Sequence, residues 1–232
     1  MKSYSGTILR CAFLLVASSL VLVAPALAGP PLICHPIQIG AAASLPWPND
    51  GGSVVGLQDY DVNHLVADTL SLLNPHTDVL VRMETLRRAT IYAQRNPSIA
   101  KELLLRLHAR TAANGQDALA AFDFGYLVEC YKQAQLARSE GFAAWRHSEW
   151  SNAAANLDGY SFVESAIRMR GEDAEMEFAA ALISSVESRK DCQQHIERSV
   201  AGAKDNVLLT DNLSTRFGKQ TAAKALAAPE DK

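Results

Sequence analysis

The chain has 232 residues, 48% of them hydrophobic and 20% charged, with a formal charge of −3 at pH 7. That is enough apolar material for one core of ordinary size. A mildly acidic balance without a long basic run leaves no electrostatic footprint for nucleic acid.

At the start, Lys2 and Arg10 precede an apolar stretch from Cys11 to Ala28. Ala26-Leu27-Ala28 is a small-x-small site, followed by Gly29. These are the three parts of a secretory signal peptide. The apolar run reaches Pro25 after roughly 14 residues, short of the about 20 that a membrane span takes. The expectation is a signal peptide over residues 1–28, cleavage between Ala28 and Gly29, and export to the periplasm or beyond. No stable membrane insertion is expected after cleavage. The mature chain would have 204 residues, with 20 Lys and Arg against 25 Asp and Glu, a formal charge of −5.

Residues 29–58 are rich in Pro and Gly. Proline lacks an N–H and biases the residue before it to extended geometry. An extended segment is expected here, packed down by Ile33, Ile37, Ile39 and Trp47, because disordered tails are poor in apolar residues.

The helical domain is expected over 59–217. Val62, Leu65, Val66, Leu70 and Leu73 share one helical face, which Asn74-Pro75 ends. A second helix carries Val79, Met83, Leu86 and Ala93. Asn96-Pro97 reads as a cap followed by proline at the first helical position, opening a third helix with Ile99, Leu103 and Leu107. Asn114-Gly115 reads as its left-handed stop. The fourth begins near Asp117. Its two stripes, Leu119-Phe122-Tyr126-Cys130 and Phe124-Val128-Tyr131, give it a wide apolar face and a central place. Residues 139–156 follow no clear period. Helical order returns with Tyr160, Val163 and Ile167 up to Gly171, then with Met176, Ala180 and Ile183. Asp191-x-x-Gln194 reads as a capping box before Ile196 and Val200. Leu209, Leu213 and Phe217 form the last helix before Gly218, and residues 218–232 read as a frayed tail. No segment shows period-2 alternation, so the fold class is all-α. Short joints make neighbouring helices antiparallel hairpins.

Hairpin starts near residues 77, 116, 157 and 191 are spaced like a helical solenoid. In "AFDFGYLV", Gly125 takes the small position of the tetratricopeptide pattern, Phe124 its Leu and Val128 its Tyr. Ala121 stands where that pattern has Trp. In "LDGYSFVESAIRMRGEDAEMEF", Gly159 and Phe162 repeat the spacing, and Ala174-x3-Phe178 repeats the second helix three residues late. The chain thus resembles tetratricopeptide-like α-hairpin repeat proteins over about half of its mature length, without their terminal proline. The resemblance implies a concave surface that binds a protein or peptide partner. Trp145, Trp150 and Tyr160, in or beside the irregular stretch, are the candidate binding anchors.

Signatures of chemistry are sparse. Asp61, His64 and Asp68 share a helix face, and Cys192 and His195 share another, but helical spacing alone makes no metal site. Cys34 and His35 are adjacent, an awkward spacing for two ligands of one tetrahedral ion. Val163-Glu164-Ser165 is similar to the Glu-Ser step of lytic transglycosylases, all-α envelope enzymes that need a carboxylic acid in a sugar cleft. Their later Gly-Leu-Met-Gln stretch is absent. No HExxH, phosphate loop or Gly-x-Ser-x-Gly occurs. No catalytic residue, metal or cofactor is expected. The alternatives to partner binding are a cell-envelope hydrolase and a structural envelope component. Three cysteines would remain after cleavage. Cys34 and Cys192 are expected to form a disulfide closing a loop of about 158 residues, with Cys130 a buried free thiol.

Overall fold

The computed structural model describes residues 29–48, 55–137, 154–171 and 173–219. Among them are nine α-helices and no strand: α1 Pro31–Cys34, α2 Leu65–Leu72, α3 Val79–Ala93, α4 Pro97–Ala113, α5 Ala118–Leu136, α6 Gly159–Arg170, α7 Ala174–Val186, α8 Cys192–Gly202 and α9 Val207–Phe217. A 3-10 turn, Val62–His64, leads into α2.

Short polar side chains open most of these helices. The carboxylate or amide oxygens of Asn96, Asp117, Asp158, Asp173 and Asn206 each accept a backbone N–H from the first turn that follows. Each satisfies a donor that the helix itself leaves unpaired. Gly171 (φ 80°) and Gly218 (φ 92°) end α6 and α9 in backbone regions that side chains avoid. Two expected punctuation marks are corrected. Asn114 ends α4 in extended backbone (φ −146°, ψ 93°), so Gly115 makes no left-handed stop. Asp191 makes no side-chain cap on α8, because its backbone is helical (φ −86°, ψ −8°) where a capping residue is extended.

α5 lies at the centre, packed against α1, α3, α4, α6 and α7. Phe122, Tyr126, Leu127, Val128, Cys130 and Tyr131 are all completely buried. A helix that is apolar on every side belongs in a core. Its closest crossing is with α6, where Gly125 and Gly159 face each other. A Cβ on either would come within 2.5 Å of the other's carbonyl oxygen. The two residues that carried the repeat resemblance are therefore the contact point of one tight helix pair.

The N-terminal segment 29–48 is a strap across α3, α5 and α9. It is extended except for the single turn α1, which the proline content concealed, and a turn at Gly40–Ala41 where Gly40 has φ 60°. Leu32, Ile33, Ile37, Ile39 and Leu45 are buried. A strap without a sheet partner leaves its backbone groups to be satisfied by side chains. The Leu32 N–H donates to Gln133 Oε1 (2.9 Å) and the Ile37 N–H to Glu84 Oε2 (2.9 Å). Asn212 both accepts from the Gln38 N–H and donates to its carbonyl. Arg87 donates to the Ile33 carbonyl, Arg88 to Leu45, Tyr92 to Pro46, and Arg216 to His35 and Pro36.

Glu84 also binds Arg87 twice (2.8 Å each) and Arg88 (2.7 Å), with Glu84 and Arg87 fully buried. Burial alone would raise the Glu84 carboxyl. The two guanidiniums outweigh that and hold it below the usual carboxylate range. A second buried pair, Arg82 and Asp123 at 2.7 Å, ties α3 to α5, with Arg110 of α4 at 3.5 Å from the same carboxylate.

Candidate functional site

The other concentration of buried polar groups lies where α6, α7 and α8 meet. Asp158 caps α6 and sets Tyr160 in its first turn, and Glu164 follows one turn later on the same face. Glu177 stands in the first turn of α7. Asp191 immediately precedes α8, and His195 follows it by four residues. The Tyr160 hydroxyl donates to Asp191 Oδ2 (2.7 Å) and meets His195 Nε2 at 2.6 Å. His195 Nδ1 meets Glu177 Oε2 at 2.5 Å. The result is a chain of contacts, Glu177–His195–Tyr160–Asp191. His195 and Glu177 are both about 4% exposed and Tyr160 2%.

Hydrogen-bond arithmetic constrains this chain. Its three contacts need three protons. The phenol brings one and a neutral imidazole another, while ionised carboxylates bring none. The set is complete only when it carries one proton more, or a cation in its place. The Tyr160 phenol stays protonated: burial, then the hydrogen bond to Asp191, push its pKa far up. The Arg189 guanidinium sits 4.0 Å over the Tyr160 ring and pairs with Glu187. Glu164 makes no hydrogen bond or ion pair among the described residues. A carboxylate oxygen of Glu164, one of Asp191 and a ring nitrogen of His195 lie within 4.8 Å of one another. These three are the residues that could hold a metal ion.

Glu177 also faces outward. Its Oε1 is 3.5 Å from Nη1 of Arg198, which is 59% exposed. Both line a cleft of about 650 Å³ together with Ile167, Gly171, Ala174, Ala201 and Gly202. The close approach of Gly202 to Ala174, where an added Cβ would meet another at 2.6 Å, brings the end of α8 onto the start of α7. The cleft therefore has small residues on its walls, one exposed cation at its rim and the buried chain of contacts behind it.

The residues singled out in the sequence fall differently. Trp145 and Trp150 lie outside the described residues, as does Ala28. Tyr160 is buried, with its hydroxyl turned to Asp191 and His195, so it presents no aromatic surface. Cys34, Cys130 and Cys192 are all free thiols, so the Cys34–Cys192 bond is not formed in this structure. Cys34 packs beside Gly29, whereas Cys192 Sγ faces the Ala181 carbonyl at 3.6 Å. Cys130 is completely buried, and that burial raises its thiol pKa strongly. His64 lies 3.6 Å from Asp61 on an exposed face, and Asp68 accepts the Tyr60 hydroxyl instead (2.6 Å).

The sequence reading passed over Glu177 and Asp191 as site residues. Glu177 was visible as one carboxylate inside the apolar run 176–183. Asp191 was visible four residues before His195 but resembled a cap. Comparison with known proteins adds nothing to the geometry, since no family model, curated protein or solved structure matches the chain.

Proposed function

We propose that this is an exported protein of helical hairpins that binds a short acidic peptide segment in the cleft between α6, α7 and α8. The observation that carries the reading is the cleft itself. Gly171 and Ala201 leave room for a backbone to approach, Ile167 offers apolar contact, and Arg198 is exposed at the rim. Glu177 takes only a long contact from Arg198, so that guanidinium is available to a carboxylate on a ligand. On this reading the hairpins starting near 77, 116, 157 and 191 are tetratricopeptide-like units.

Fluorescence polarisation with labelled acidic and basic peptides of equal length tests the proposal. Acidic peptides should bind, more weakly as salt rises, and Ala201→Trp should abolish binding by filling the cleft from an exposed position. Equal binding of both peptide sets, or an Ala201→Trp variant that binds as well as the parent, would refute it. The second reading, a cell-envelope hydrolase, is favoured by the Glu177–His195 pair behind the same cleft. Its mark would be turnover of envelope material that His195→Gln removes.

A further inference from the structure

Glu164 is the unexplained group at the three-helix junction. It is a half-buried carboxylate with no hydrogen bond or ion pair among the described residues, beside a second carboxylate and an imidazole. Oδ1 of Asp191 is likewise shut off from solvent and accepts no hydrogen bond. Two neighbouring carboxylates with unused lone pairs repel each other unless a cation lies between them. Nearby Arg189 does not serve, because Glu187 already holds it.

We propose that Glu164, Asp191 and His195 bind a divalent first-row transition ion of the zinc or manganese type, a role separate from ligand binding in the cleft. Glu177 at Nδ1 fixes the ring of His195 and leaves Nε2 directed toward Asp191 and Tyr160. A carboxylate behind a histidine is the usual outer support of such a ligand. Bonds of about 2.0–2.2 Å put the ligand atoms of one ion roughly 3.4–4.2 Å apart. The three residues already lie within 4.8 Å. Glu164, which no hydrogen bond or ion pair among the described residues holds, can move to complete the closure. A doubly charged ion balances the two carboxylates. The Tyr160 hydroxyl, 2.6 Å from Nε2 and 2.7 Å from Asp191 Oδ2, fills the ion's place in the metal-free protein and gives up its contact with Nε2 when the ion enters. A nitrogen ligand favours transition ions over magnesium or calcium.

The test is calorimetric titration of the untagged, chelator-treated full-length protein with ZnCl2, MnCl2 and MgCl2. One transition ion should bind per chain, with Mg2+ much weaker. Co2+ should give visible d–d bands that His195→Gln eliminates. Glu164→Gln should weaken binding about tenfold or more while leaving the melting temperature of the metal-free protein unchanged, since Glu164 makes no hydrogen bond or ion pair among the described residues. Glu177→Gln, acting on the site through the ring of His195, should weaken it about 10–100-fold. The proposal is overturned by the absence of a one-to-one site, by Mg2+ binding as tightly as Zn2+, or by a Glu164→Gln protein with parental affinity. Ala201→Trp should keep the metal, so loss of peptide binding and loss of the ion are separate outcomes.

Discussion

Replacing Gly125 by alanine sets two known effects against each other. Gly125 lies in the interior of α5, where alanine favours the helix by about 1 kcal/mol. If nothing approached that position, the variant would gain stability. The structure places the Gly159 carbonyl oxygen 2.5 Å from the new Cβ, with Phe162 Cβ at 2.8 Å and Val163 N at 3.0 Å. Ordinary carbon–oxygen contacts begin at about 3.3 Å, a deficit of roughly 0.8 Å. Two of these three obstacles are backbone atoms and cannot swing aside, so α5 and α6 must part. Overpacking of a close-packed core costs about 1–3 kcal/mol, and a rigid obstacle belongs at the upper end. Subtracting the helix gain leaves a loss of about 2 kcal/mol, or roughly 4–8 °C in melting temperature for a chain of this size. Thermal and urea unfolding followed by circular dichroism measure it. Gly159→Ala opens the same crossing from the other side, so the double variant should lose less than the sum of the singles. A Gly125→Ala protein as stable as the parent, or a double variant with fully additive losses, would refute the close crossing.

Three further outcomes are expected. Glu84→Gln should cost about 3 kcal/mol near neutral pH, because it strands buried Arg87 and weakens the grip on the strap. The native carboxyl is depressed, so its contribution is present above the unfolded value of about 4.3 and is lost as pH falls through the folded one. The gap between parent and variant in urea unfolding should therefore narrow in acid, and a gap constant from pH 7 to pH 3 would count against the ion pair. Thiol titration of the form that begins at Gly29 should find Cys130 unreactive until the chain unfolds, with three thiols per denatured chain in the absence of reductant. A count of one would mean that Cys34 and Cys192 join on export. Intact mass of the exported protein should begin at Gly29, and a mass retaining residues 1–28 would refute cleavage there.

The helix starts were legible because Asn or Asp at the cap reaches an N–H only two or three residues away. Asn96 and Asp117 therefore announced their roles in sequence, as Gly171 did at a helix end through its freedom of backbone. The strap's apolar anchors were legible for a similar reason, being hydrophobic in a segment that proline keeps extended. Its polar partners were not. Arg82, Glu84 and Arg87 interrupt the apolar pattern of α3, and periodicity assigns such residues to a solvated face. Glu84 and Arg87 are buried because extended backbone, 47 and 54 residues earlier in the chain, needs partners that only side chains can supply, and Arg82 because it pairs with Asp123. The site at α6, α7 and α8 was hidden in the same way. Asp191 satisfies the local rule for a cap, yet its backbone is helical there and the phenol of Tyr160 takes its carboxylate. A hydroxyl shielded from water costs more to leave unpaired than a helix end still open to solvent. Glu177 looked like an interruption in an apolar run until His195 was seen opposite it. Local rules located the ends of these helices. Long-range demands for charge and hydrogen-bond partners decided which polar residues went inside, and where those demands are met incompletely, at Glu164 and Asp191, a cation has the best claim to the remaining lone pairs.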